Sequence, residues 1–204
     1  ATTSREAVFA EVQAATGGTF VHPYNDARVI AGQGTCGLEI AAQAAELGVE
    51  TGDVLVCCGG GGLTSGIAMA LEADAPGLRA RPVEPEGFDD VTRSLNSGYI
   101  ETNNAQSGNI CDAILTPAPG DITFPIMKRL CGPGIVVNEY ECLRAMALAF
   151  QRLKLVAEPG GAAALAAALF HGDEIEDETV ICTISGGNVD ANMFERALSQ
   201  SQLT

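Results

Sequence analysis

Basic residues are scarce: 11 lysines and arginines stand against 26 aspartates and glutamates, a formal charge of −15. Nucleic acid and anionic membranes both need a basic face, so neither is an expected partner, and the charge mainly favours solubility. Aromatic residues are also few, at 5%, and tryptophan is missing. With 47% apolar residues, the chain has the composition of an alanine- and glycine-rich soluble α/β protein, and its 204 residues allow a buried core. The seven cysteines are odd in number, form no C-x-x-C pair and lie mostly in apolar runs. They argue against a disulfide framework or metal cluster and suggest buried thiols in a reducing, cytoplasmic compartment. No basic-then-apolar leader opens the sequence, and glycines interrupt its one long uncharged run. Neither a signal peptide nor a membrane span is expected.

The most informative stretch lies inside that uncharged run. A buried strand is expected from Val54 to Cys58, then the four glycines Gly59, Gly60, Gly61 and Gly62, then a helix beginning with Leu63, Thr64 and Ser65. Residues without Cβ let successive amides converge, and the helix N-terminus adds unpaired donors, which together make an anion cradle. The plainer alternative is a glycine-rich turn closing a strand–helix pair.

Elsewhere the pattern alternates between strands and helices. A helix is expected from Ser4 to Ala15, a short strand from Thr19 to His22, and a turn over Pro23 to Asp26. A loop over Arg28 to Thr35 would then cap a helix ending at Gly48. Leu78 to Val83 reads as the next parallel strand, weakened by Pro82, and leads into the acidic loop Glu84 to Asp90. Residues 96–120 resist assignment. A helix over Ile122 to Leu130 and a strand over Ile135 to Val137 follow. Asn138 and Glu141 then cap a long helix with Tyr140, Leu143, Met146, Ala147, Phe150 and Leu153 on one stripe. Glu158 to Gly161 turns into a buried alanine helix, Thr179 to Ile184 is a strand, and the last helix covers Asn192 to Ser199.

Several site patterns fail. No lysine follows the glycines, which excludes a Walker A loop, and no G-x-S-x-G elbow occurs. Gly60-x-Gly62-x-x-Ser65 nearly meets a dinucleotide fingerprint, with Glu84 as the acid after the next strand, so a non-catalytic nucleotide-binding domain remains an alternative. His22 and His171 lack partner spacing for a metal or triad and read as structural.

Six segments occur together and in order: Arg28 to Thr35 (RVIAGQGT), Gly59 to Gly62, Val83 to Pro85 (VEP), Thr123 to Ile126 (TFPI), Leu153 to Pro159 (LKLVAEP) and Ser185 to Asp190 (SGGNVD). Over almost the whole chain they resemble the threonine/serine dehydratase branch, which includes serine racemases, of the fold-type II pyridoxal-phosphate enzymes. The resemblance implies a mainly parallel twisted sheet with helices on both faces. Residues 1–31 would be a remnant of a small domain and 32–204 most of a large cofactor-binding domain. It implies that Gly59 to Gly62 and Leu63 wrap the cofactor phosphate, that Ser185 meets the pyridine nitrogen and that Glu158 lies near the ring. A carboxylate at a helix N-terminus is the alternative role for Glu158.

The resemblance also implies a divalent-cation site of Glu84, Asp90 and the Phe88 carbonyl. That donor set suits Mg²⁺ or Ca²⁺, against the alternative of a solvated acidic loop. The implied activity is deamination of a β-hydroxy amino acid to a 2-oxo acid and ammonia, in an enzyme that is homo-oligomeric when complete. Two departures stand out. The family's T-I-A-D-G segment appears as Asn109-Ile-Cys-Asp-Ala113, and the early S-F-K-x-R-G-A motif and the later S-x-G-N loop are both missing. The two lysines, Lys128 and Lys154, match nothing catalytic, so the Schiff-base lysine is expected in an N-terminal segment outside this chain, without which it is inactive.

Overall fold

The computed structural model describes residues 5–200. Its strands β1 (Gly52–Cys57), β2 (Leu78–Pro85), β3 (Ile135–Val137) and β4 (Val180–Cys182) form one parallel sheet in the order β3-β2-β1-β4. Around it lie α1 (Arg5–Thr16), α2 (Ala27–Glu46), α3 (Gly62–Asp74), α4 (Asp90–Ser97), α5 (Thr123–Leu130), α6 (Glu139–Leu148), α7 (Ala163–Phe170) and α8 (Ala191–Gln200). Strand β1 is buried along its whole length, which explains the apolar run Val54 to Cys57. Val54 and Val56 face the α2–α3 side, while Leu55 and Cys57 join the cluster of α6 and α7. The expected α/β architecture, parallel with helices on both faces, is what the chain adopts. All seven cysteines are free, and Cys57, Cys58, Cys111 and Cys142 are buried.

Pro82 sits inside β2 opposite Val56, although β2 has neighbours on both sides. The Val83 carbonyl accepts from Cys58 on the β1 side, and the Ala80 carbonyl accepts from Gly132 on the other. Alternation therefore turns the Pro82 nitrogen away from β1, toward a flank where β3 pairs only from Val83 onward. The missing donor falls where no ladder bond is needed.

Three expectations are corrected. The stretch from Arg28 to Thr35 is helix, because α2 starts at Ala27 with Asp26 as N-cap, its Oδ1 accepting from the Arg28 amide at 2.8 Å. Thr35 is interior and donates its hydroxyl to the Gly32 carbonyl. The glycines stay helical because α3 passes close by: a Cβ on Gly37 would lie 2.7 Å from that of Ala70, and one on Gly66 2.5 Å from the Ile30 carbonyl oxygen. Ala31 and Gly32 thus both lie within α2.

Residues Thr19 to His22 are not a strand. Their apolar alternation serves a stack in which Phe20 meets Phe9 at 4.1 Å and His22 at 5.5 Å between centroids.

The capping box of α6 is present, with the Glu141 amide donating to Asn138 Oδ1 and the Asn138 amide to Glu141 Oε2. The long helix nevertheless changes to a wider π turn over Ala149–Leu153 and stops at Lys154 with φ 60°. The expected stripe is buried only in its middle. Leu143, Met146 and Ala147 are buried, whereas Tyr140 and Leu153 are 45% and 56% exposed.

Candidate functional site

In an open parallel sheet, ligands bind beyond the carboxyl ends of the strands where the chain's direction of winding changes. Here that point is β1, whose connection through α3 leads to β2 on one side while β4 arrives on the other. A cavity of about 840 Å³ opens there. Gly59, Gly60, Gly61, Gly62, Leu63, Glu158 and Ser185 all line it, so the cradle after β1 and the loop after β4 face one space.

The cradle's local structure follows from its glycines. Gly61 takes φ 91° as the residue before α3, and a Cβ on Gly60 would lie 2.3 Å from the Tyr24 ring. The Cys58 amide donates to Val83 and the Ser65 amide to Gly61, each at 2.9 Å. Between them, among the described residues, no amide from Gly59 to Thr64 donates to a protein acceptor. Buried amides are paired in more than roughly 90% of cases, so such a run calls for an acceptor from outside the protein. The neighbouring Thr116 hydroxyl, also in the wall, is buried without a partner.

The far wall is held just as firmly. The Ser185 amide donates to the Gly161 carbonyl at 3.3 Å, and Glu158 Oε2 accepts from the Asn188 amide at 3.0 Å. Glu158 thereby anchors the loop that carries Ser185. A Cβ on Gly186 would meet Glu158 Oε1 at 2.4 Å, which accounts for a glycine there. Cys58 in the wall is no ready nucleophile, since burial and then the nearby Glu84 charge push its thiol well above the usual range.

The proposed cation trio stands apart, as none of Glu84, Phe88 and Asp90 lines the cavity. Glu84 is fully buried at the start of α4, accepting from the Val91 amide at 2.9 Å and from the Thr92 amide and hydroxyl at 2.7 Å each. Burial first, then the Asp90 charge, pushes its pKa up to about 8. Burial likewise raises Asp90 to about 7, against the lowering bond from Asn103. Asp90 Oδ2 is buried without a partner, and the Phe88 amide donates to Pro85. With its carboxylate turned into α4, Glu84 offers nothing to a ribose in the cavity.

Residues that sequence reasoning gave no role also build the site. Tyr24 and His22 line the cavity, with His22 Nδ1 accepting from the Asn25 amide at 2.9 Å. Thr123 donates its buried hydroxyl to the Gly60 carbonyl at 2.6 Å. Its presence in the TFPI segment was the only sequence signal. Neither Lys128 nor Lys154 lines the cavity: the first bonds the Gly98 carbonyl, the second the Gln151 carbonyl. Among the described residues no helix is long and apolar enough to cross a membrane.

A chargeless amide cradle at a sheet's switch point, faced by a hydroxyl, is the architecture of an α/β protein suited to a phosphorylated organic ligand. The chain belongs to the pyridoxal-phosphate dependent enzyme family, whose model matches residues 1–186, and is of fold type II. It is 41% identical over 190 residues to the beta-hydroxyaspartate dehydratase of Paracoccus denitrificans, covering 93% of this chain and 58% of that protein. It is 36% identical over 192 residues to a serine racemase of Arabidopsis thaliana, covering 92% of this chain and 56% of the relative. Among solved structures, the T.th. threonine deaminase superposes with a TM-score of 0.84 at 43% identity, over 90% of this chain and 65% of that one. The chain thus spans little more than half the length of the curated relatives it matches.

Proposed function

We propose that these residues are the phosphate-holding part of a pyridoxal-phosphate-dependent lyase that deaminates a small β-hydroxy amino acid to a 2-oxo acid and ammonia. The names of the similar dehydratase and deaminase support this reaction class, and the similar serine racemase makes racemisation the alternative. The observation that carries the reading is the run of partnerless amides from Gly59 to Thr64 in a wall of the cavity that Ser185 also lines.

Bound there, pyridoxal phosphate supplies a conjugated ring that withdraws electrons from the substrate Cα, so that its proton and then the β-hydroxyl can leave. The amides of Gly59 to Gly62 and of Leu63 hold the phosphate without a counter-charge. The Ser185 hydroxyl meets the ring nitrogen; being neutral, it does not keep a proton there as a carboxylate would. Glu158 keeps the Ser185 loop at the ring's edge through Asn188. The amine that attaches the cofactor comes from a segment outside these residues, so that the chain alone is inactive. On this reading residues 1–31 end a smaller domain, residues 32–204 belong to the larger one, and the complete enzyme is a cytoplasmic homo-oligomer.

A Mg²⁺ or Ca²⁺ ion held by Glu84, Asp90 and the Phe88 carbonyl belongs to the same proposal, as a structural ion apart from the chemistry. The unpartnered Asp90 Oδ2 supports it, and Glu84 keeps a lone pair on Oε1 beside the bond it accepts.

Calorimetric titration with pyridoxal phosphate, pyridoxal and a nicotinamide dinucleotide tests the reading. Pyridoxal phosphate should bind, with pyridoxal roughly 100-fold weaker for want of the phosphate. Equal binding of pyridoxal, or binding of the dinucleotide instead, would refute it. In the complete enzyme, release of a 2-oxo acid rather than the opposite enantiomer separates lyase from racemase.

A further inference from the structure

We infer that Thr123 is a positioning residue of the cradle, its hydroxyl fixing the direction in which the Gly61 amide points. The inference rests on the phosphate reading of the cradle and adds the device that holds it in shape. Four successive glycines have more backbone freedom than any other sequence, so they permit convergence of their amides without enforcing it. Something outside the loop must choose the orientation of each peptide unit.

In a trans peptide the carbonyl and the following N–H point in opposite directions in one plane. The carbonyl of Gly61 is held by the Ser65 amide at 2.9 Å, which aims the Gly62 N–H. The preceding unit has no such helical partner. Its carbonyl, that of Gly60, accepts a hydrogen bond from the Thr123 hydroxyl at 2.6 Å, with the Gly120 amide as a longer second donor at 3.3 Å. Drawing that carbonyl toward Thr123 turns the Gly61 N–H the other way, toward the cavity.

Thr123 is itself fixed on every side. It is fully buried at the start of α5, its hydroxyl oxygen accepts from the Gly120 amide at 2.9 Å, and its carbonyl accepts from the Ser65 hydroxyl at 3.2 Å. One helical turn on, Met127 closes the back of the loop, where its methyl group occupies the space of a Cβ on Gly61.

The test compares Thr123→Val with Thr123→Ser in the full-length protein, titrating inorganic phosphate and pyridoxal phosphate separately. Valine keeps the shape and loses the bond. It should weaken both ligands roughly tenfold, the loss of one hydrogen bond, while serine should retain wild-type affinity. The phosphate-induced shift of the Gly61 amide in nitrogen NMR should shrink in the valine variant and return with serine. A valine variant that melts earlier yet binds both ligands as the wild type does would overturn the inference. If valine prevents folding, Thr123→Cys, with its weak S–H donor, takes its place against serine and is read the same way. A wild-type protein that binds neither ligand would bring down the phosphate reading and this inference together. Binding by the wild type and the hydroxyl-free variant alike would remove only the role of Thr123.

Discussion

Strands β1 and β2 begin side by side among buried, paired charges, whereas β1 ends at a glycine cradle that holds none. At the amino end, Arg81 is 2% exposed and bonds Asp53 at 3.0 Å and the carbonyls of Pro133 and Glu174. Asp53 also accepts from the Glu176 amide at 3.1 Å and from Arg79 at 3.4 Å, and Arg79 reaches Glu176. Among these ions the buried carboxylate has all its oxygens engaged. At the carboxyl end a row of amides has no protein acceptor at all. Both ends are buried, and burial penalises an unmet polar group in each. Saturation at one end marks a structural joint; its lack at the other marks a place for a ligand.

The largest expected effect breaks the saturated end. Asp53→Ala leaves Arg81 buried without a counter-charge and should lower stability by about 3–5 kcal/mol in urea denaturation. Phosphate affinity, measured where the variant is still folded, should hold; a parallel loss would mean that the two ends are coupled and the contrast false.

The next effect breaks the open end. Gly60→Ala would drive a methyl group into the Tyr24 ring, 2.3 Å from the built Cβ, at about 1–3 kcal/mol of strain. Here binding of inorganic phosphate should fall along with stability, and a variant that keeps full affinity would show the loop to be an ordinary turn.

The smallest effect sharpens the comparison through pH. His171 follows α7, its ring between Glu174 Oε1 at 2.8 Å and Glu141 Oε2 at 3.1 Å. Burial lowers its pKa, but the bonds to Glu174 and Glu141 outweigh burial and raise it above the ordinary 6.5. Folded protein therefore binds this proton more tightly than unfolded chain. The stabilisation is complete below pH 6.5 and is lost as pH rises through the folded value. His171→Gln should remove that dependence, worth less than about 1 kcal/mol, in melting curves across the range, with phosphate binding unchanged.

Legibility in the sequence followed how local each cause is. The strand into Gly59, the capping pair Asn138 and Glu141, and the turn at Pro23 are set by neighbours in the chain, and all are present as expected. The helical state of Gly32 and Gly34 was not legible, because glycine signals a loop unless a second helix lies within van der Waals reach. Nor was the stack of Phe9 on Phe20, which has the same alternation as a strand. That the Glu84 carboxylate accepts from the Val91 and Thr92 amides at the start of α4 was not legible either. Only the packing of β2 against that helix decides this.

What the sequence determined by itself is the kind of chemistry available: acceptor-hungry backbone after a buried strand, in a run from Val54 to Leu71 that carries no charged residue. Those are properties of residue type and order, and they hold whatever the long-range contacts are. Tertiary structure alone brought Ser185 to the cavity of Gly59, because β4 pairs with β1 across more than a hundred residues of chain. It alone set Thr123 on the Gly60 carbonyl and Asp53 on Arg81. Each of these contacts joins segments whose separation in sequence carries no signal until the sheet aligns them.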